Sequence, residues 1–162
     1  MKKQLMTVFI AALLCSACEN NQIEKETTVE IIKATVKADE SEYRSLLQGR
    51  ESYGGELFDL KNVKREEHLL RIFVEGPCDT EGYSVTWDGA ISRSEPAIAN
   101  LAVSYNAKSQ VQCLAIMAYT VEVDLQKTFG KGYRENLIVN VVNASKKQDI
   151  RIDGKGTATK LN

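Results

Sequence analysis

From residue 68 to residue 153 apolar side chains return at every second position, a period of two that fits strands and not the 3.6 of a helix. In residues 68–75 (HLLRIFVE), Leu70, Ile72 and Val74 share one face and Phe73 takes the other. Tyr83, Val85 and Trp87 alternate with Ser84, Thr86 and Asp88, and Leu101, Val103 and Tyr105 line one side of residues 97–105. The longest run is 111–125, where Val111, Cys113, Ala115, Met117, Tyr119, Val121, Val123 and Leu125 share a face. Leu114 and Ile116 make its first half apolar on both faces, as in a central strand. A strand of that length predicts a bulge or bend. Residues 137–142 and 149–153 continue the series, 56–63 is a weaker strand, and the β-branched stretch 27–37 reads as a strand with a helix as the alternative.

Turn signals separate these runs. Tyr53-Gly54-Gly55 breaks the chain, Asp88-Gly89 predicts a turn, and residues 106–110 and 129–133 predict loops. Helical spacing appears once, at Tyr43, Leu46 and Leu47 within 41–48, after Asp39. About eight short strands without helices between them predict an all-β fold: an antiparallel β-sandwich, or a partly open barrel, with one short helix near 41–48.

The start of the chain follows another pattern. Lys2-Lys3 precede the apolar run Leu5–Cys15, too short for a spanning helix, which needs about 20 residues, but right for a secretory leader. Ser16-Ala17-Cys18 then resembles a bacterial lipobox, with Cys15 where that pattern usually has Leu. The resemblance implies cleavage before Cys18, acylation of its thiol and amine, and attachment to a membrane through that lipid. Glu19 stands where lipoproteins kept in the inner membrane often carry Asp, so the outer membrane is the expected site. The expected organisation is a signal peptide (1–17), a lipidated cysteine with a polar tether (18–28), and one β-domain (29–162).

Charge narrows the partner. The chain has 21 Lys+Arg and 22 Asp+Glu, and Lys2 and Lys3 leave with the leader, so the mature protein is slightly acidic. No basic surplus is present to hold a nucleic acid. An oxidising compartment makes Cys78 and Cys113 a disulfide pair. Two distant cysteines, one histidine and no CxxC do not make a zinc site, and no metal or cofactor is expected.

Several features together point to a family. A strand ends in Gly76-Pro77-Cys78, then come Tyr83-Ser84-Val85-Thr86-Trp87, Ser94-Glu95-Pro96, a strand 101–105, and Cys113 opening a long strand that ends Val123-Asp124-Leu125. In these the chain resembles the small, mostly uncharacterised envelope lipoproteins of the Bacteroidetes type. The resemblance implies a disulfide-linked β-sandwich in the envelope and no activity. Asp79-Thr80-Glu81 lies where that pattern has a histidine, so no histidine role carries over.

Candidate chemistry is sparse. His68 is the sole histidine and any triad would have to use it, yet no GxSxG elbow appears. Asp79, Glu81, Asp88 and Glu95 could supply a carboxylate pair for glycoside hydrolysis or a Ca²⁺ site, with solvated loop charges as the simpler reading. Gly154-Lys155-Gly156-Thr157 lacks the full phosphate-loop spacing and reads as a turn before a frayed terminus. Tyr83, Trp87, Tyr105 and Tyr119 belong to the core, whereas Tyr53 and Tyr133, in Gly-flanked loops, are the possible ligand contacts. Asn143-Ala144-Ser145 matches a glycosylation sequon. The expected role is a non-catalytic, lipid-anchored interaction module whose partner is a protein or polysaccharide. The alternatives are an inhibitor of a lysozyme or protease, inserting residues 108–110 or 130–133, and a hydrolase using loop carboxylates.

Overall fold

The computed structural model describes residues 29–55, 57–107 and 115–161. The leader, Cys18, the tether 19–28 and Cys113 lie outside the described residues.

Among the described residues ten strands form two open sheets: β1 (Glu30–Lys33), β2 (Val36–Ala38), β3 (Asp59–Glu66), β4 (Leu69–Gly76), β5 (Tyr83–Ile91), β6 (Ile98–Tyr105), β7 (Met117–Asp124), β8 (Ile138–Asn143), β9 (Asp149–Ile152) and β10 (Ala158–Leu161). One sheet has the order β1-β7-β4-β3, the other β10-β9-β8-β6-β5-β2. The inward residues are those of the alternating pattern. Leu60, Val63, Leu70, Ile72, Val74, Val121 and Val123 of one sheet meet Val85, Leu101, Val103, Val139, Val141, Ile150 and Ile152 of the other, each at most 2% exposed. The all-β sandwich is therefore as the sequence predicts, and neither sheet closes into a barrel.

The pairing is not purely antiparallel. β1 runs parallel to β7, β2 to β5 and β6 to β8. Parallel neighbours need a crossover connection. Between β6 and β8 the opposite sheet supplies it: β7 makes the return stroke. The described part of the 27–37 stretch, from Val29, does not form one strand. After Lys33 the chain leaves β7, and Val36 joins β5 of the other sheet.

The predicted helix is α1 (Glu40–Gly49), started by Asp39, whose carboxylate accepts from the Glu42 amide at 2.9 Å. Its Tyr43, with Leu46 and Leu47, packs on Ala102 and Val142 of the outer face of the six-stranded sheet. Four further expectations change. Asp88-Gly89 is a bulge inside β5, because Gly89 (φ +78°) and the Asp88 carboxylate, accepting from the Ala90 amide, absorb extra chain. The described part of the 111–125 run is a strand only from Met117 to Asp124, and Ile116 is 74% exposed, not core. Asp124 then caps a five-residue helix, α2 (Leu125–Phe129), where Leu125 ends the strand and a loop was expected beyond it. The C-terminal segment is not frayed: β10 pairs antiparallel with β9.

The carboxylates that hold these turns are bound as anions. The Glu42 amide and then Lys37 hold Asp39 below the usual carboxylate range. Lys146 and Lys61 do the same for Asp59, and the Thr157 amide for Asp153. Depressed folded values mean that the unfolded chain binds more protons in acid, so this stabilisation is complete above the ordinary carboxylate range and is lost as pH falls through the folded values. The expected result is a Tm that is flat above about pH 5 and drops steadily below about pH 4, measured by thermal melts across pH.

Candidate functional site

Strand register gives the sandwich two distinct ends. Glu30 pairs with Tyr119, Gly76 with Met117, and Tyr83 with Tyr105, so the chain enters the domain at the end that also holds Cys78. Leu69 pairs with Asp124 at the opposite, distal end. There the two-residue turn Glu67-His68 between β3 and β4, helix α2, residues 133–136, the β9–β10 turn and the β5–β6 connection converge.

The distal end contains two adjoining open cavities of about 580 and 510 Å³. Glu135 and Gly154 line both. Glu95, Pro96 and Lys155 border the first, and Glu67, His68 and Tyr133 the second. Gly154 is required there, since a Cβ would come within 2.4 Å of the Glu135 carbonyl oxygen and 2.6 Å of the Asn136 Cα.

Arg65, at 9% exposure, organises this end. Its guanidinium donates to the carbonyl oxygens of Glu67 (3.0 Å), Leu137 (2.5 Å) and Arg134 (3.4 Å) and to the Tyr133 hydroxyl (3.3 Å). It also lies 5.7 Å from the Tyr133 ring centre. Alternation gave no hint of it, because an arginine at an inward position of β3 reads as a break in the pattern. Glu67 has φ +54°, a left-handed conformation that only glycine adopts without cost. Glu67→Gly is expected to raise stability by about 0.5–1 kcal/mol, read as an increase in the denaturant midpoint.

The structure distributes the other candidates. His68, Glu95, Tyr133 and Gly154-Lys155 gather at the distal end. Asp79 and Glu81 sit beside Cys78 at the entry end, with the Asp79 carboxylate accepting from the Glu81 amide at 3.0 Å. Asp88 belongs to neither group. It begins a polar ladder across the outer face, Asp88–Asn100–Asn140–Arg151, with links of 2.7, 2.8 and 2.9 Å. The four loop carboxylates thus do not form one pair. At the distal end Glu95 accepts from the Asn136 amide side chain at 2.7 Å. Asp153 accepts from the Lys155 and Thr157 amides, which hold it ionised. A glycosidase acid needs the opposite shift. Among the described residues the lining of both cavities holds no Ser, Thr or Cys beside His68. Among the described residues no three His, Cys, Asp or Glu side chains gather as metal ligands.

Gly154–Thr157 is the tight β9–β10 turn, with Gly156 at φ +83°, and precedes a strand where a phosphate loop precedes a helix. Tyr53 donates its hydroxyl to the Tyr105 carbonyl at 2.7 Å, and Tyr133 to that of Glu67 at 3.3 Å, so both are tied into the fold. Tyr83 packs against Phe58, Tyr105 and Tyr119 with ring centres 4.9–5.7 Å apart, and Trp87 against Phe129 at 5.1 Å, as core residues do. Asn143 is fully buried and its amide nitrogen donates to the Phe58 carbonyl, so the sequon is a structural latch between the sheets. Cys78 is disulfide-bonded, and Cys113 falls outside the described residues. Of the two loops considered for enzyme inhibition, 130–133 is at the distal end and 108–110 lies outside the described residues.

No family model matches the chain, and no curated protein does. Among solved structures, it is similar to a DUF1344 protein of unknown function from Bacteroides vulgatus. That similarity has a TM-score of 0.44 and 12% identity, over 83% of this chain and 63% of the other. The chain therefore spans less than two thirds of that structure's length, and no function passes from it.

Proposed function

We propose that this chain is a lipid-anchored envelope protein, cleaved before Cys18 and acylated there, whose sandwich is a non-catalytic contact module for a protein or polysaccharide. The observation that supports it most is the polarity of the domain. The tether enters at one end, and the two cavities that share Glu135 and Gly154 open at the other. A lipid on Cys18 then presents that groove away from the membrane. A Cys78–Cys113 disulfide closes the intervening segment and contributes roughly 3–4 kcal/mol in the chain-entropy model.

Labelled fatty acid should enter the wild-type chain and not the Cys18→Ala variant, which should leave the membrane fraction. A wild-type chain that takes up no label ends the anchoring proposal. Capture from membranes in mild detergent tests the module. Glu135→Lys, on the wall between the two cavities, should cut retention of the captured partner at least tenfold. Unchanged retention would remove the groove as the contact surface.

A further inference from the structure

Five large apolar side chains are exposed among the described residues: Val29, Ile31, Leu57, Ile116 and Met117. Four of them fall on the ends of the strands of one sheet. Met117 opens β7 opposite Gly76, and Ile116 precedes it. Val29 precedes Glu30, which pairs with Tyr119. Leu57 lies two residues before Asp59, which pairs with Glu75. The entry-end rim of the four-stranded sheet is therefore apolar in β1, β7 and the approach to β3. Two of its neighbouring carboxylates are matched locally, since Lys61 bridges Asp59 and Glu75 and Lys146 also binds Asp59, while Glu30, Asp79 and Glu81 add charge to the same end. The distal end shows the reverse composition, with Glu66, Glu67, Glu95, Arg134, Glu135 and Lys155 exposed.

We infer that this rim, Val29, Leu57, Ile116 and Met117, rests on the lipid surface to which Cys18 is anchored. The inference depends on the anchoring reading above. The length of the tether supports it: the ten residues 19–28 separate Cys18 from Val29, a span of at most about 40 Å when fully extended and nearer 20 Å as a flexible coil. An apolar surface held that close to a bilayer meets it at a high effective concentration, so even a weak contact is populated. Side chains of this kind settle at the boundary between headgroups and acyl chains, where the charged neighbours stay hydrated.

The test uses the lipidated mature chain in phosphatidylethanolamine–phosphatidylglycerol vesicles, with and without brominated acyl chains. Trp87 is the one native tryptophan and gives the baseline. I116W should add a signal quenched at least twofold more by the brominated lipid than that baseline. K155W, at the distal end, should match the baseline, and M117W should repeat the I116W result if that variant folds poorly. A chain that floats with the vesicles while I116W and M117W show baseline quenching overturns the lipid contact and leaves the anchor standing. A rim that pairs with a second copy overturns it too, giving unquenched I116W and a concentration-dependent doubling of mass. A chain that neither floats nor carries fatty acid overturns both.

Discussion

Arg65→Ala is expected to lower the unfolding free energy by about 2–4 kcal/mol, and the Tm by about 10 °C, while leaving the strands in place. The guanidinium is nearly buried and has no ion-pair partner among the described residues. It serves three carbonyl oxygens and a tyrosine hydroxyl drawn from the β3–β4 turn, the 133–134 segment and Leu137, the residue before β8. Truncation removes this donor from the Leu137 and Arg134 carbonyls and leaves the Glu67 carbonyl only the Tyr133 hydroxyl, which costs more than the bonds are worth net. Arg65→Lys should recover only part of the loss, because one ammonium cannot reproduce the planar fork. Denaturant melts of both variants check the magnitude. Amide exchange checks the location: residues 130–137 should exchange faster in Arg65→Ala, and the entry end should not change. Equal exchange at both ends would mean that Arg65 supports the core generally and not the groove.

Leu101→Ala should cost about 2–5 kcal/mol. Leu101 is fully buried in β6, the central strand between antiparallel β5 and parallel β8, and faces the other sheet. The strands on either side fix the backbone, so the walls cannot collapse into the space, and the cavity adds to the lost transfer free energy. A midpoint shift without a change in the denaturant slope is the expected signature. A loss under 1 kcal/mol would mean that the core closes over the gap.

Much of the frame could be read beforehand because it depends on neighbours in sequence. Alternation at Leu70, Ile72 and Val74, or at Leu101 and Val103, sets which side of a strand is buried whatever its partners. Asp39 with Tyr43, Leu46 and Leu47 marks a capped helix from local spacing alone. The groove was legible only as pieces. His68 stood out at the start of a strand and Glu95, Tyr133 and Gly154 in turns or loops, and nothing in their spacing joins them. Arg65 was invisible because its distant partners are backbone carbonyls 69 and 72 residues away and one tyrosine 68 residues away, and main-chain acceptors carry no residue identity. Asn143 shows the converse error, since a surface motif in sequence is a buried latch once Phe58, just before β3 of the other sheet, lies against it.

By itself the sequence determined the class of the fold, the inward face of most strands and the places where the chain must turn, since φ/ψ preference and side-chain alternation act over a few residues. Tertiary structure alone decided which strands run parallel, that β7 supplies the return between β6 and β8, and that the exposed apolar rim and the polar groove stand at opposite ends. These depend on which distant segments pair when both sheets close on one core, and that free energy is shared across the molecule and written in no single stretch of it.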